Sequence, residues 1–199
     1  MSNYSKVATS QFDIIHKNYL PWFRKADQLV NSSLLLRQRC ILARKKLDKL
    51  MQTDQKEKQI SKEMEFDLSC YQEASMLFGL AIENVLKGLW IIINGKKIKN
   101  DTKKLEMVLK SHDLLKISEE INLELNDEDE KIMQFFTEYV MWKGRYPIPL
   151  DAQQYIEHFE SKNIIKFVEN NENDLPKEIK NLWRKLISTR DELLKDQKK

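Results

Sequence analysis

Glycine and proline are scarce in this sequence, which has only 4 of each among 199 residues. A turn-rich β-protein needs many more, because its tight turns depend on these two residue types. The scarcity therefore excludes a β-sandwich or barrel. Lysine, leucine, isoleucine and glutamate dominate instead. These are good or tolerated helix residues, and they predict an all-α fold.

Cysteine and long apolar runs are also scarce. Cys40 and Cys70 lie far apart within helical patterns, which is typical of small core residues and not of a disulfide framework. The longest apolar run, Leu89–Ile93, is much shorter than the roughly 18 residues that a membrane span needs. The first residues lack the basic start and apolar stretch of a signal peptide. We expect a protein of the reducing cytoplasm with no membrane contact.

Neither sign of charge dominates, since 34 Lys and Arg residues face 31 Asp and Glu residues. The net charge of +3 therefore does not identify a nucleic-acid-binding protein. A basic stretch at 96–110 precedes an acidic one at 119–130, and further basic residues lie within 35–50. The basic sets could follow a nucleic-acid backbone or form solvated faces. The acidic stretch could face a basic patch on a second subunit or simply be solvated.

Residues 63–94 show the strongest helical periodicity, with apolar side chains recurring every three or four positions. The main stripe comprises Phe66, Cys70, Ala74, Leu77, Ala81, Val85 and Leu89, and Phe78, Ile82, Leu86 and Ile93 widen it. This width predicts a central helix with neighbours on two sides. Gly79 and Gly88 indicate a close helix approach or a bend. Asn94-Gly95 predicts the helix end, since glycine tolerates a left-handed cap.

The flanking regions predict further helices. Residues 1–60 are expected to form a helical hairpin, interrupted at Pro21, that extends a bundle formed by residues 61–199. After the basic stretch, Ser111 is predicted to cap one helix, and the Asp127-x-x-Glu130 pattern resembles a capping box for the next. That helix is expected to end at Gly144. Two more helices are predicted after Asp151 and Pro176.

Two short segments lie where the helical pattern breaks: Ser111-His112-Asp113-Leu114 and Gly144-Arg145-Tyr146-Pro147. Together with Ala81-Ile82-Glu83-Asn84-Val85-Leu86-Lys87 before them, their order and spacing resemble the HEPN superfamily, in its branch with an RYP turn. The similarity runs from residue 66 to about residue 170. It implies an up-and-down helical bundle, frequently dimeric, associated with RNA cleavage, nucleotide or nucleic-acid binding, and toxin–antitoxin or phage-defence systems.

The nuclease members of that superfamily share a motif of Arg, four to six residues, then His. For His16, His112 and His158 the arginine would stand at positions 9–11, 105–107 and 151–153. None of these positions is Arg. The standard metal-independent RNase motif is therefore absent from the sequence.

His112 and Arg145 are the candidate catalytic residues. His112 could act as a general acid or base, hydrogen-bond a carboxylate such as Glu83, or simply position its loop. Arg145 could bind a phosphate with its planar fork of donors, or hold the RYP turn through an ion pair. Tyr146 could stack on a base or pack against the bundle.

A second group of residues is expected to build the helix junction itself: Glu83, Lys87, Ser111 and Asp113. Glu83 and Lys87 stand four residues apart in the order that favours a helical ion pair, either on the surface or at the junction. His16 and His158 lie on unrelated helices without metal-ligand spacing, and there is no glycine-rich phosphate loop. We expect neither a metal nor a cofactor.

The sequence thus favours a cytoplasmic HEPN-like protein that binds RNA or a nucleotide, without the standard RNase centre and more as a binding protein than as an enzyme. The expected contact residues are Arg145, Tyr146, Lys96, Lys97, Lys99, Lys103 and Lys104. One alternative is a diverged metal-independent endoribonuclease toxin in which Arg145 and His112 meet across a homodimer. Another is a non-catalytic subunit that grips a cognate antitoxin or defence protein through helices 5–50 and 176–195.

Overall fold

A computed structural model describes residues 17–52, 66–67, 70–95, 98, 106–143 and 175–197. These residues form helices joined by short connections and contain no strand, which confirms the all-α bundle. The helices are α1 (Leu20–Met51), α2 (Tyr71–Asn94), α3 (Met107–Lys110), α4 (Leu114–Glu120), α5 (Asp127–Glu138), a π-helical turn (Tyr139–Lys143) and α6 (Lys177–Asp196).

Helix α2 forms the centre of the bundle, as its wide apolar stripe predicts. Its buried side chains contact buried residues from α1, α4, α5 and α6. The core of these neighbours includes Phe23, Ala26, Ile41, Leu114, Ile117, Ile132, Phe136, Ile179, Leu182 and Leu186. The continuous helix begins at Tyr71, later than predicted. Phe66 is not a core residue, because 57% of it is exposed.

Helix α2 is also long and apolar enough, by length and composition, to cross a membrane. However, 67% of its most apolar window is buried inside the bundle. That apolarity is accounted for by packing, since a helix that is apolar on most sides is expected at the centre of a bundle.

Residues 20–51 form one continuous helix, so the break expected at Pro21 is absent. The hairpin expected for residues 1–60 as a whole stays a prediction, because residues 1–16 and 53–60 lie outside the described part of the chain. Pro21 stands in the first turn, where the missing N–H would have no intrahelical partner, and it therefore starts the helix without interrupting it. Helix α1 runs antiparallel to α2. The Phe23 ring lies against Gly88, and the Ser33 hydroxyl donates to the Ala74 carbonyl at 2.6 Å, so rising numbers in α1 meet falling numbers in α2. Further along α1, the Cys40 thiol donates to the Asp67 carbonyl, just before α2, at 2.9 Å.

Two glycines of α2 admit neighbouring side chains, which explains their presence inside a helix. A Cβ at Gly88 would overlap the Phe23 ring of α1, and one at Gly79 would lie 2.7 Å from Val140 Cγ2. The prediction for Gly95 is right in position and wrong in reason. Helix α2 ends at Asn94, but Gly95 has φ −56° and is right-handed.

Helix α5 starts with a capping box one residue earlier than predicted. The Asn126 side chain accepts from the Asp129 amide at 2.8 Å, and the Asp129 carboxylate accepts from the Asn126 amide at 3.3 Å. Asp129 is buried and also pairs with Lys185 of α6. The same ammonium donates to the Glu124 carbonyl at 3.0 Å, so one lysine joins α6 to the segment before α5.

A π-helical turn, Tyr139–Lys143, directly continues α5. This rare form often marks functional segments. Burial raises the pKa of the Tyr139 phenol, and the neighbouring Tyr71 phenol raises it further. Lys143 is buried and pairs with Glu138. The predicted end at Gly144 and the predicted helix after Asp151 lie outside the described residues. Helix α6 follows Pro176 as predicted.

Candidate functional site

The Glu83–Lys87 pair lies inside the bundle. Lys87 Nζ donates to Glu83 Oε1 at 2.6 Å, and the two side chains are only 3% and 5% exposed. The interpretation as a surface pair is therefore wrong. The Trp22 ring of α1 covers the ammonium, with its centroid 5.6 Å from Nζ. The lysine charge is thus stabilised by one carboxylate and one aromatic face, and it is not available to a ligand.

His112 meets the other oxygen of the same carboxylate. Its Nδ1 lies 2.9 Å from Glu83 Oε2, and its side chain is 43% exposed. Glu83 therefore contacts a buried cation through one oxygen and a half-exposed imidazole through the other. We name the three residues Glu83, Lys87 and His112 the junction triad.

Residues 111–113 hold His112 in place. Asp113 caps α4, since its side chain accepts from the Lys116 amide at 3.1 Å. Ser111, predicted to be the cap, accepts instead from the Asp113 amide at 3.1 Å. The Leu114 amide donates to the Thr137 hydroxyl of α5 at 3.1 Å. These contacts fix the backbone on both sides of the imidazole and tie it to α5.

The hydrogen bond assigns the roles of the two imidazole nitrogens. A carboxylate can only accept, so His112 Nδ1 is the donor. In the neutral ring Nε2 is then the acceptor, and among the described residues it has no hydrogen-bond partner. A buried acidic group that holds one nitrogen and leaves the other accessible orients an imidazole for proton transfer or for a polar ligand.

Most of the other predicted site residues lie outside the described part of the chain. These are Arg145, Tyr146, Lys96, Lys97, Lys99, Lys103 and Lys104, together with His16 and His158. The structure therefore does not test whether Arg145 and His112 meet. The last described residue before Arg145 is Lys143, at the end of the π turn. Among the described residues, no group of three His, Cys, Asp or Glu side chains is arranged to hold a metal ion.

Two residues that build the site were not predicted from the sequence. Trp22 was not among the candidate residues, although its ring covers the Lys87 ammonium. Thr137 was not among the candidate residues either, although its hydroxyl accepts a hydrogen bond from the Leu114 amide at the start of α4. Both act across more than twenty positions of sequence, and no local pattern encodes such a contact. The one signal in the sequence concerned Thr137: the amide of Leu114, the first residue of α4, has no acceptor within its own helix and needs one from elsewhere.

Comparisons of the chain with protein-family models, with curated proteins and with solved structures find no match.

Proposed function

We propose that this protein binds RNA or a nucleotide at His112, the exposed member of the junction triad, within a microbial toxin–antitoxin or phage-defence system in the cytoplasm. The observation that carries the proposal is the imidazole of His112, held at the bundle surface by a carboxylate that is itself buried. The system and the compartment come from the HEPN resemblance of the sequence, and so does the ligand class.

The energetics of the triad favour a role beyond packing. A buried ion pair is costly, because both ions lose their hydration, and apolar residues of similar size would stabilise the fold at least as well. Glu83 and Lys87 bear this cost in the most apolar of the described helices. The pair lies beneath His112, and Glu83 orients the exposed imidazole. This orienting role is a reason for the chain to keep a buried ion pair.

A specific observation favours a second candidate, a metal-independent endoribonuclease. The Glu83–His112 contact is the arrangement in which a carboxylate orients an imidazole and stabilises it when it takes up a proton. His112 would then transfer protons to and from the RNA hydroxyls, and Arg145 would stabilise the phosphoryl charge. This candidate requires Arg145 to reach the same phosphate, either within one chain or across a homodimer.

The test is binding of fluorescein-labelled single-stranded RNA and of mononucleotides, followed by anisotropy at low and rising salt. We expect wild-type protein to bind and His112→Ala to bind at least about tenfold more weakly. Lys116→Ala, which removes an exposed side chain in the neighbouring turn, is the matched control. If the wild type binds neither ligand at low salt, the proposal fails, and the interaction subunit becomes the better interpretation.

The same samples separate the two candidates. Gel analysis of the labelled RNA after incubation with a chelator detects metal-independent cleavage. Cleavage that His112→Ala abolishes supports the nuclease, whereas intact RNA with retained binding supports the binding protein. Light scattering of the wild type, alone and with RNA, tests the expected homodimer.

A further inference from the structure

The second half of α1 presents a basic surface away from the junction triad. Between positions 37 and 49 this helix carries six basic residues and one acidic residue, Asp48. Arg37 is buried and contributes nothing to the surface. The exposed members at helical spacing are Arg39, Lys46 and Lys49, with Leu42 between them. We call these four residues, together with Phe66, the α1 ridge.

Phe66 adds an exposed aromatic ring to the basic residues. Its ring is stacked with the Arg39 guanidinium, whose Cζ lies 5.6 Å from the ring centroid. Asp67 forms an ion pair with the same guanidinium at 2.7 Å. Because its charge is already paired, Arg39 serves more to hold the Phe66 ring than to bind a phosphate. Phe66 is nevertheless 57% exposed. A large exposed aromatic fixed beside a basic helix is the combination that binds single-stranded nucleic acids.

We infer that the α1 ridge binds the backbone and one base of single-stranded RNA. Lys46 and Lys49 are placed to contact phosphates, and Phe66 to stack on a base. From Arg39 to Lys49 the helix rises about 15 Å, which is enough for several nucleotides of an extended strand. The inference rests on the proposed function for the class of ligand, and it adds a second contact surface to the junction triad.

A membrane surface fits the ridge less well. A helix that lies in a membrane interface buries a continuous apolar face beneath its basic residues. The apolar face of α1 is already buried against α2 through Phe23, Ala26 and Ile41. The leucines on its exposed side, Leu34, Leu35 and Leu42, are interrupted by the exposed polar residues Gln38 and Arg39.

The ridge lies at a distance from His112. Cys40 of α1 and Phe66 are near the start of α2, whereas Glu83 stands thirteen residues beyond Cys70 along that helix. At 1.5 Å per residue this corresponds to about 20 Å. A strand of RNA that touches both places would therefore need several nucleotides, and a mononucleotide could reach only one of them.

The experiment compares two charge-matched double variants of the full chain. Lys46→Gln with Lys49→Gln removes two ridge charges, and Lys177→Gln with Arg184→Gln removes two exposed charges from α6. Each protein is titrated with labelled single-stranded RNA at several salt concentrations. We expect the ridge variant to bind more weakly and its slope of log affinity against log salt to fall by about 1.4, at roughly 0.7 per phosphate contact. The α6 variant should match the wild type.

Phe66→Ala tests stacking separately and should weaken binding about tenfold without a change in salt slope. If the wild type and His112→Ala differ in binding while all ridge variants match the wild type, the ridge inference fails and the proposed function stands. If the wild type binds no RNA at low salt, the ridge inference fails, and the proposed function fails with it only if mononucleotides do not bind either. Binding of the wild type to anionic vesicles in place of RNA would also overturn the ridge inference.

Discussion

Glu83 and Lys87 lie one turn apart on α2, and their side chains form a 2.6 Å ion pair that the bundle buries almost completely. The pair is not isolated, because the second carboxylate oxygen contacts His112 at the surface. A charge balance inside the core therefore sets the position of a group outside it. The stability of the fold and the geometry of the candidate site are linked through one carboxylate, and the two can be separated by mutation.

Glu83→Gln should destabilise the protein by about 3–5 kcal/mol, since it leaves the Lys87 ammonium buried without its counter-ion. The double variant Glu83→Leu with Lys87→Met should be less destabilised than that single variant, because two apolar side chains of similar volume replace both charges. Urea unfolding of the variants measures this. A loss below about 1 kcal/mol for Glu83→Gln would mean that the pair is hydrated in solution.

His112→Ala should cost about 1 kcal/mol or less, far below the cost of Glu83→Gln. The imidazole is 43% exposed, so its removal opens the Glu83 oxygen to water and does not leave a cavity in the core. The same variant should lose RNA or nucleotide binding. Urea unfolding and binding are measured on one preparation. A stability loss as large as that of Glu83→Gln would assign His112 to the structure and argue against a ligand site.

The sequence predicted the helical class and the central helix, since both depend on local properties. Apolar spacing in 71–94 is strong enough to place α2 without any knowledge of its neighbours. Pro21 shows the limit of this approach. A proline reads as a break, and only the helix around it distinguishes an interruption from a first turn.

The junction triad was less accessible to sequence reasoning. Spacing alone makes Glu83 and Lys87 a helical pair, but it does not say whether the pair is buried. That depends on which neighbour covers them, and the cover is the Trp22 ring, more than sixty positions earlier. Ser111 and Asp113 are both good caps, and the choice between them depends on where the chain turns into α4.

The capping box of α5 offers a direct test of a corrected boundary. Asn126→Ala should destabilise the protein by about 1 kcal/mol, because the amides of Glu128 and Asp129 lose their acceptor. Glu130→Ala, at the position that the sequence pattern assigned to the box, should cost less than about 0.5 kcal/mol since that side chain is exposed. Thermal unfolding of the pair measures the difference, and the reverse order would restore the boundary predicted from sequence.

Gly88 within α2 and Gly95 just after its end should respond differently to the same substitution. Gly88→Ala should destabilise by about 1–3 kcal/mol, because the new methyl group meets the buried Phe23 ring. Gly95→Ala should be neutral or slightly stabilising, since its φ is −56° and the nearest atom would lie 3.7 Å away. Urea unfolding compares both variants with the wild type. A large loss at Gly95 would instead support the left-handed cap.

The buried thiol of Cys40 should make the protein lose stability in alkali. Burial, together with the nearby Cys70 thiol, raises the pKa of Cys40 from 9.0 to about 12. Between these values the unfolded chain releases a proton that the folded chain retains, so the free energy of unfolding falls as pH rises. Below pH 9 the contribution is fully present, and it is lost as pH approaches 12.

The measurement for Cys40 is the difference in unfolding free energy between wild type and Cys40→Ala at pH 8 and pH 10.5. Lysines and tyrosines titrate in both proteins, so their effects cancel in this comparison. The wild type should lose about 2 kcal/mol more than the variant over this range, at roughly 1.4 kcal/mol per pH unit for one proton. Parallel losses in the two proteins would show that the Cys40 thiol ionises as easily in the folded chain as in the unfolded one, which its hydrogen bond to the Asp67 carbonyl and its 2% exposure argue against.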